Sequence, residues 1–118
     1  MKKILFFCLF CIALSCKKEK TNITPVIITC IGNKIEAFKK TAFCEAFINE
    51  YSYKGKIYYY FDNGTACDGT GEVLDEQCVQ YCVTCGDCII TNLDKECGGS
   101  KIDFFNKAIL IKQIWKKP

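Results

Sequence analysis

Between Cys78 and Cys88 the chain reads CVQYCVTCGDC, four cysteines in eleven residues. No other feature constrains the fold so tightly. The residues around this run, Val73 to Gly99, hold few large apolar side chains and many turn formers, so burial alone cannot order them. Order has to come from a metal ion or from covalent crosslinks. A third use of such thiols is redox chemistry. The compartment in which the chain folds decides between these readings, because disulfides persist only where thiols are oxidised.

The other end of the chain speaks to that compartment. Met1-Lys2-Lys3 is followed by a 12-residue apolar run, Ile4 to Ser15, which is too short to span a bilayer at about 20 residues per crossing. A short basic start and a short apolar run are the layout of a secretory signal. The run ends Leu14-Ser15-Cys16-Lys17. A small residue directly before a cysteine resembles the lipobox of bacterial lipoproteins, with Ala13 where the usual box prefers Leu. In that family the signal is removed and the cysteine, here Cys16, carries acyl chains. Relaxed boxes that end in Ser-Cys and continue in lysines resemble lipoproteins of the Bacteroidota. Lys17 after the cysteine, by the same analogy, favours sorting to the outer membrane. The expected organisation is a signal peptide over 1–15, an anchor and tether over 16–29, and one small cysteine-rich domain over 30–118.

Charge and composition exclude several activities. The exported part holds 14 lysines against 13 acids, so it carries no nucleic-acid footprint. The chain has no histidine and no arginine. Serine or cysteine nucleophiles activated by histidine are therefore absent, as are the commonest metal ligand and the bidentate clamp for phosphate or carboxylate. No enzyme and no cofactor are expected. The expected partners are a lipid bilayer, through acylated Cys16, and an unidentified protein or glycan.

Local patterns suggest an α+β domain. Ile31, Ile35 and Phe38 form an apolar stripe at helical spacing behind Thr29, a candidate N-cap, with Gly32 as a weak point. FINEYSYKGKIYYYF, Phe47 to Phe61, reads as a β-hairpin turning at Lys54-Gly55, which sets Tyr51 opposite Tyr58 and Ile48 opposite Phe61. Its tyrosines 51, 53, 58 and 60 read as cross-strand pairs rather than a ligand platform. DNGTACDGTGE, Asp62 to Glu72, has Gly64 and Ala66 where a calcium loop needs Asp or Asn, so it reads as a turn. Short strands are expected at Glu72 to Leu74 and at Ile89 to Thr91. Ser100 to Asp103 resembles a capping box opening a helix through Ala108. Ile109 to Lys116, β-branched and loosely alternating, reads as a closing strand. The fold class is thus a small single domain, short helices packed on an antiparallel hairpin or sheet, rich in disulfides.

Cys8 and Cys11 leave with the signal and Cys16 is the anchor, so eight cysteines remain: Cys30, Cys44, Cys67, Cys78, Cys82, Cys85, Cys88 and Cys97. An even number in a small exported domain points to disulfides. The metal alternative uses Cys78, Cys82, Cys85 and Cys88, but structural zinc sites usually join two separated Cys-x-x-Cys knuckles. A ferredoxin run would place its fourth cysteine and a proline at Asn92 and Leu93. The redox alternative uses Cys85-Gly86-Asp87-Cys88, yet no helix pattern follows to lower a thiol pKa. Neighbours this close make cramped loops, so the four clustered cysteines are expected to pair with the four dispersed ones. Peptide mapping tests that division.

The order of these parts, Cys30 to Ile35, a tyrosine-rich hairpin turning at Gly55-Lys56, Cys67-Asp68-Gly69, Val73-Leu74-Asp75 before Cys78, and Ile114-Trp115-Lys116, resembles a family of small Bacteroidota lipoproteins whose domain has no assigned function. The resemblance covers most of Cys30 to Lys117. Where that family has a glycine-rich loop, this chain has its cysteine-dense run. The resemblance implies no catalytic residues.

Overall fold

A computed structural model describes residues 29–64, 69–86 and 90–118. The expected signal, Cys16, the tether before Thr29, Cys67 and Cys88 lie outside those residues. Helix α1, Cys30–Thr41, is capped by Thr29, whose hydroxyl accepts from the Gly32 amide at 3.1 Å. That bond satisfies one of the amides a helix start leaves unpaired. Lys39 and Lys40 close its last turn, where the helix dipole favours positive charge.

Strands β1, Phe47–Tyr53, and β2, Lys56–Asp62, form the expected hairpin with Tyr51 opposite Tyr58 and Ile48 opposite Phe61. Lys54 and Gly55 take φ of 49° and 75°. Two left-handed residues match the twist of the flanking strands, and glycine adopts this conformation without strain. Strand β3, Gly71–Asp75, pairs with β2, and strand β4, Gln80–Thr84, pairs with β3. Strand β5, Ile109–Lys116, returns to the opposite edge and pairs with β1. The antiparallel sheet therefore runs β4-β3-β2-β1-β5.

Alternation along the strands gives the sheet two buried faces. On one, Ile31, Ile35 and Phe38 of α1 pack on Ile48, Phe61 and Leu74, with Ile114 and Trp115 at the β5 side. Phe38 meets both Phe61 and Trp115 edge to face, with centroids at 5.3 and 6.1 Å. The other face gathers Tyr53, Tyr58, Tyr60, Val73 and Cys82 under a segment that supplies Cys97 and Phe104. That segment contains a 3-10 turn, Leu93–Lys95, and the short helix α2, Phe104–Lys107. An α+β domain of short helices on an antiparallel sheet is what the sequence patterns predict; β3 contains the strand expected at Glu72 to Leu74, and β4 is a strand those patterns do not indicate.

Two local expectations are corrected. The helix does not start at Ser100: Asp103 is its N-cap and makes no side-chain capping bond. Gly98 and Asp103 form an antiparallel bridge, and the Phe104 amide donates to the Cys97 carbonyl at 3.0 Å. Residues 99–102 are therefore the tip of a tight reversal and lack helical backbone. Ile90 and Thr91, expected in a strand with Ile89, lie outside any strand, while Ile89 is not among the described residues.

Candidate functional site

Cys30 is the first residue of α1, and Cys78 lies in the turn between β3 and β4; they are bonded, with Cα atoms 5.8 Å apart. Asp75 builds that turn. Its carboxylate accepts from the amides of Gln77 and Val79, each at 2.9 Å, and its carbonyl accepts from the Cys78 amide. This holds Cys78 at a φ of 63°, a left-handed conformation that few residues other than glycine adopt readily. The second bond joins Cys82 in β4 to Cys97, Cα atoms 4.9 Å apart, both sulfurs in fully buried residues. The Cys97 amide donates to the Val83 carbonyl at 2.9 Å, so the covering segment is tied to β4 by backbone as well. Cys44 and Cys85 are also disulfide-bonded.

Each of the two bonds takes one cysteine from the run 78–88 and one from outside it. Each also fastens one covering layer to the sheet: Cys30–Cys78 holds the helix, and Cys82–Cys97 holds the segment on the opposite face. With sequence separations of 48 and 15 residues, loop closure alone assigns them about 4 and about 3 kcal/mol of stability. This division bears on the metal alternative of Cys78, Cys82, Cys85 and Cys88. Cys78 packs with the helix-side cluster and Cys82 with the other. The sheet stands between them, so the two do not converge on one ion. No group of three or more candidate metal ligands occurs among the described residues.

The tyrosines form a packed face. Phe104, fully buried, meets the rings of Tyr51, Tyr53 and Tyr58 edge to face at 5.2–5.7 Å between centroids. Tyr53 packs edge to face on Tyr58 and, at a tilt, on Tyr81 from β4. Burial raises the phenol pKa of Tyr58, and burial with donation to Tyr53 pushes Tyr81 up to about 12. Tyr60 is raised too, by burial first and then by its bond to the Asp62 carboxylate; Thr84 Oγ1 lies 3.1 Å from its hydroxyl. In each case the folded protein holds the proton to a higher pH than the unfolded chain. Stability from these groups is therefore complete below about pH 10, the ordinary tyrosine value, and falls as pH rises toward 12. Tyrosinate absorbance is expected to show Tyr58, Tyr60 and Tyr81 ionising late, together with unfolding. Ionisation of all six tyrosines near pH 10 with the fold intact would contradict this packing.

A groove of about 540 Å³ opens on the helix side of β2, β3 and β4, lined among others by Phe38, Asn63, Glu72, Gln80, Thr84 and Lys95. Glu72 is its centre of charge: Lys34 Nζ lies 2.7 Å from one carboxylate oxygen, and Gln80 donates to the other at 3.1 Å. Lys34 also sits 5.9 Å from the Phe61 ring centroid. With its carboxylate already paired, the groove is lined by hydroxyls, side-chain amides and apolar side chains beside an aromatic wall, with Lys95 as its second charged residue. Lys34, Glu72 and Gln80 lie on three elements with no shared spacing, so the sequence carries no signal for this network.

Residues 34–117 match the family described as a domain of unknown function, DUF6970. The chain belongs to that family. No curated protein and no solved structure matches it. The family region takes in the whole sheet and the Cys82–Cys97 bond, and it begins inside α1, so Cys30 stands just before it.

Proposed function

We propose that this chain is an exported lipoprotein of the bacterial cell envelope, whose DUF6970 domain works by binding or by structural presence rather than by catalysis. The observation that carries this reading is the state of the cysteines. Cys30, Cys44, Cys78, Cys82, Cys85 and Cys97 are all disulfide-bonded, which is every cysteine among the described residues. A domain held in this way folds in an oxidising compartment. The basic and apolar start of the chain supplies the route of export, and Ser15-Cys16 supplies the acceptor for acyl chains. Two or more such chains anchor stably where one is marginal. Its relaxed box and the lysines that follow resemble those of Bacteroidota lipoproteins, and by the same analogy Lys17 favours the outer membrane. The hydroxyls, side-chain amides and aromatic wall of the groove around Glu72 suit a polar ligand such as a saccharide.

In cells fed an alkyne analogue of palmitate, the protein is expected to take up label and to fractionate with membranes. Cys16→Ser is expected to abolish the label and release the protein from outer-membrane fractions. Unlabelled wild-type protein, or label that survives Cys16→Ser, defeats the anchor.

A further inference from the structure

The strand register brings several separate features to one end of the sheet. The hairpin turn at Lys54-Gly55 is there, and so is the start of β5, because Ile109 pairs with Ser52 near the end of β1. Asp75 pairs with Tyr58 near the start of β2, which puts the β3–β4 turn at the same end. Cys78 in that turn is bonded to Cys30, so the start of α1 lies at this end as well.

This end also carries the most apolar stretch of exposed chain among the described residues. Ile109, Leu110 and Ile111 are 70%, 53% and 47% exposed. Lys54, Lys56, Lys107 and Lys112 are exposed around them. Lys54 Nζ lies 5.1 Å from the Tyr53 ring centroid. The Tyr53 phenol is held below its ordinary pKa by its bond from Tyr81 first, and also by the charges of Lys54 and Lys107. The acids of this end are placed differently. Glu50 is 3.6 Å from Lys112, while Asp75 and Glu76 lie in the β3–β4 turn, at the far side of the sheet from β5.

We infer that this end of the domain is a membrane-facing surface, on which Ile109, Leu110 and Ile111 seat in the headgroup layer of an anionic bilayer beside Lys54, Lys56 and Lys107. Apolar side chains beside lysines match the two attractions such a surface offers, burial at the acyl boundary and the negative potential of the lipids. Residues 17–29 reach at most about 45 Å when fully extended, which lets this end of the domain meet the bilayer that an acylated Cys16 would hold. A second copy fits less well, because its lysines repeat the same positive charge. The two register shifts along β5 also blunt the edge against strand addition.

The source of the bilayer rests on the proposed anchor, but the surface is tested without it. The probe is sedimentation of full-length Cys16→Ser protein with phosphatidylcholine vesicles, made with or without phosphatidylglycerol. Every variant keeps the same N-terminus, so the leader contributes equally to each. The Cys16→Ser protein is expected to prefer the anionic vesicles and to lose that preference in high salt. Lys54→Gln with Lys107→Gln is expected to weaken anionic binding about 25-fold, near fivefold for each charge. Leu110→Ser with Ile111→Ser is expected to weaken it roughly tenfold. These residues are exposed, and near- and far-ultraviolet circular dichroism matching the parent confirms that each variant is folded. Equal binding by parent and both variants overturns the inference, as does a patch that instead drives dimerisation in sedimentation velocity or binds an acidic protein but no vesicle. If acylation at Cys16 fails while the vesicle preference holds, the anchor falls and the surface stands. Acylation without the preference has the opposite meaning.

Discussion

Replacing Cys82 and Cys97 together by alanine is expected to lower the unfolding free energy by roughly 5 kcal/mol. About 3 kcal/mol comes from releasing the 15-residue closure, and the remainder from two buried sulfurs that leave space behind in a fully enclosed site. A small domain has a total stability of about 5–15 kcal/mol, so this variant sits at the edge of folding. Urea unfolding followed by circular dichroism gives the difference. Alanine at Cys30 and Cys78 is expected to cost about 4 kcal/mol, nearly all of it chain entropy, because Cys30 is exposed. Accessibility also sets an order of reduction. Under native conditions a dithiol should open Cys30–Cys78 first and reach Cys82–Cys97 only on unfolding. Alkylation timed by mass spectrometry reads this order, and early modification of Cys82 would show that the covering segment opens on its own.

Phe104→Ala is expected to cost about 3–5 kcal/mol and to loosen one whole face of the sheet. Phe104 is fully buried and is the one large apolar side chain that the covering segment places against Tyr51, Tyr53, Tyr58 and Tyr81 at once. Its helix is a single turn with no side-chain cap, so the ring is positioned mainly by the backbone bond to Cys97 and by the disulfide behind it. Without the ring, the tyrosines lose the partner that orders them. Near-ultraviolet circular dichroism is expected to lose most of its tyrosine signal while the α1 signal in the far ultraviolet persists. A variant that keeps both the signal and the midpoint of wild type would mean that the tyrosine face is held from the sheet alone.

The two variants separate what was legible in the residues from what was not. α1 was legible because Thr29, Ile31, Ile35 and Phe38 carry its cap and its buried face within one short window. The hairpin was legible to the residue, since a two-residue turn fixes every pair beyond it. β4 was not. Its inward residues are a cysteine and a tyrosine, and a register shift opposite Val73 and Leu74 breaks the alternation that marks a strand. The capping-box pattern at Ser100 misled for a related reason. Local preference there is overridden by the Gly98–Asp103 bridge and the anchoring of Cys97.

The candidate surfaces divide in the same way. Ile109 to Ile111 could be read as an apolar stretch, but only the pairing of β5 with β1 leaves it at the sheet edge beside Lys54 and Lys107. The groove depends on Lys34, Glu72 and Gln80 meeting across three elements. By itself the sequence determined the helix, the hairpin with its register, the closing strand, and the dependence of an apolar-poor middle on its cysteines. Each follows from spacing along the chain or from composition. The tertiary structure decided which cysteines meet, which strand lies at each edge, and which charges gather beside the exposed start of β5. Those are contacts between residues far apart in the chain, selected by how two buried faces close on one sheet, and no short-range pattern encodes that choice.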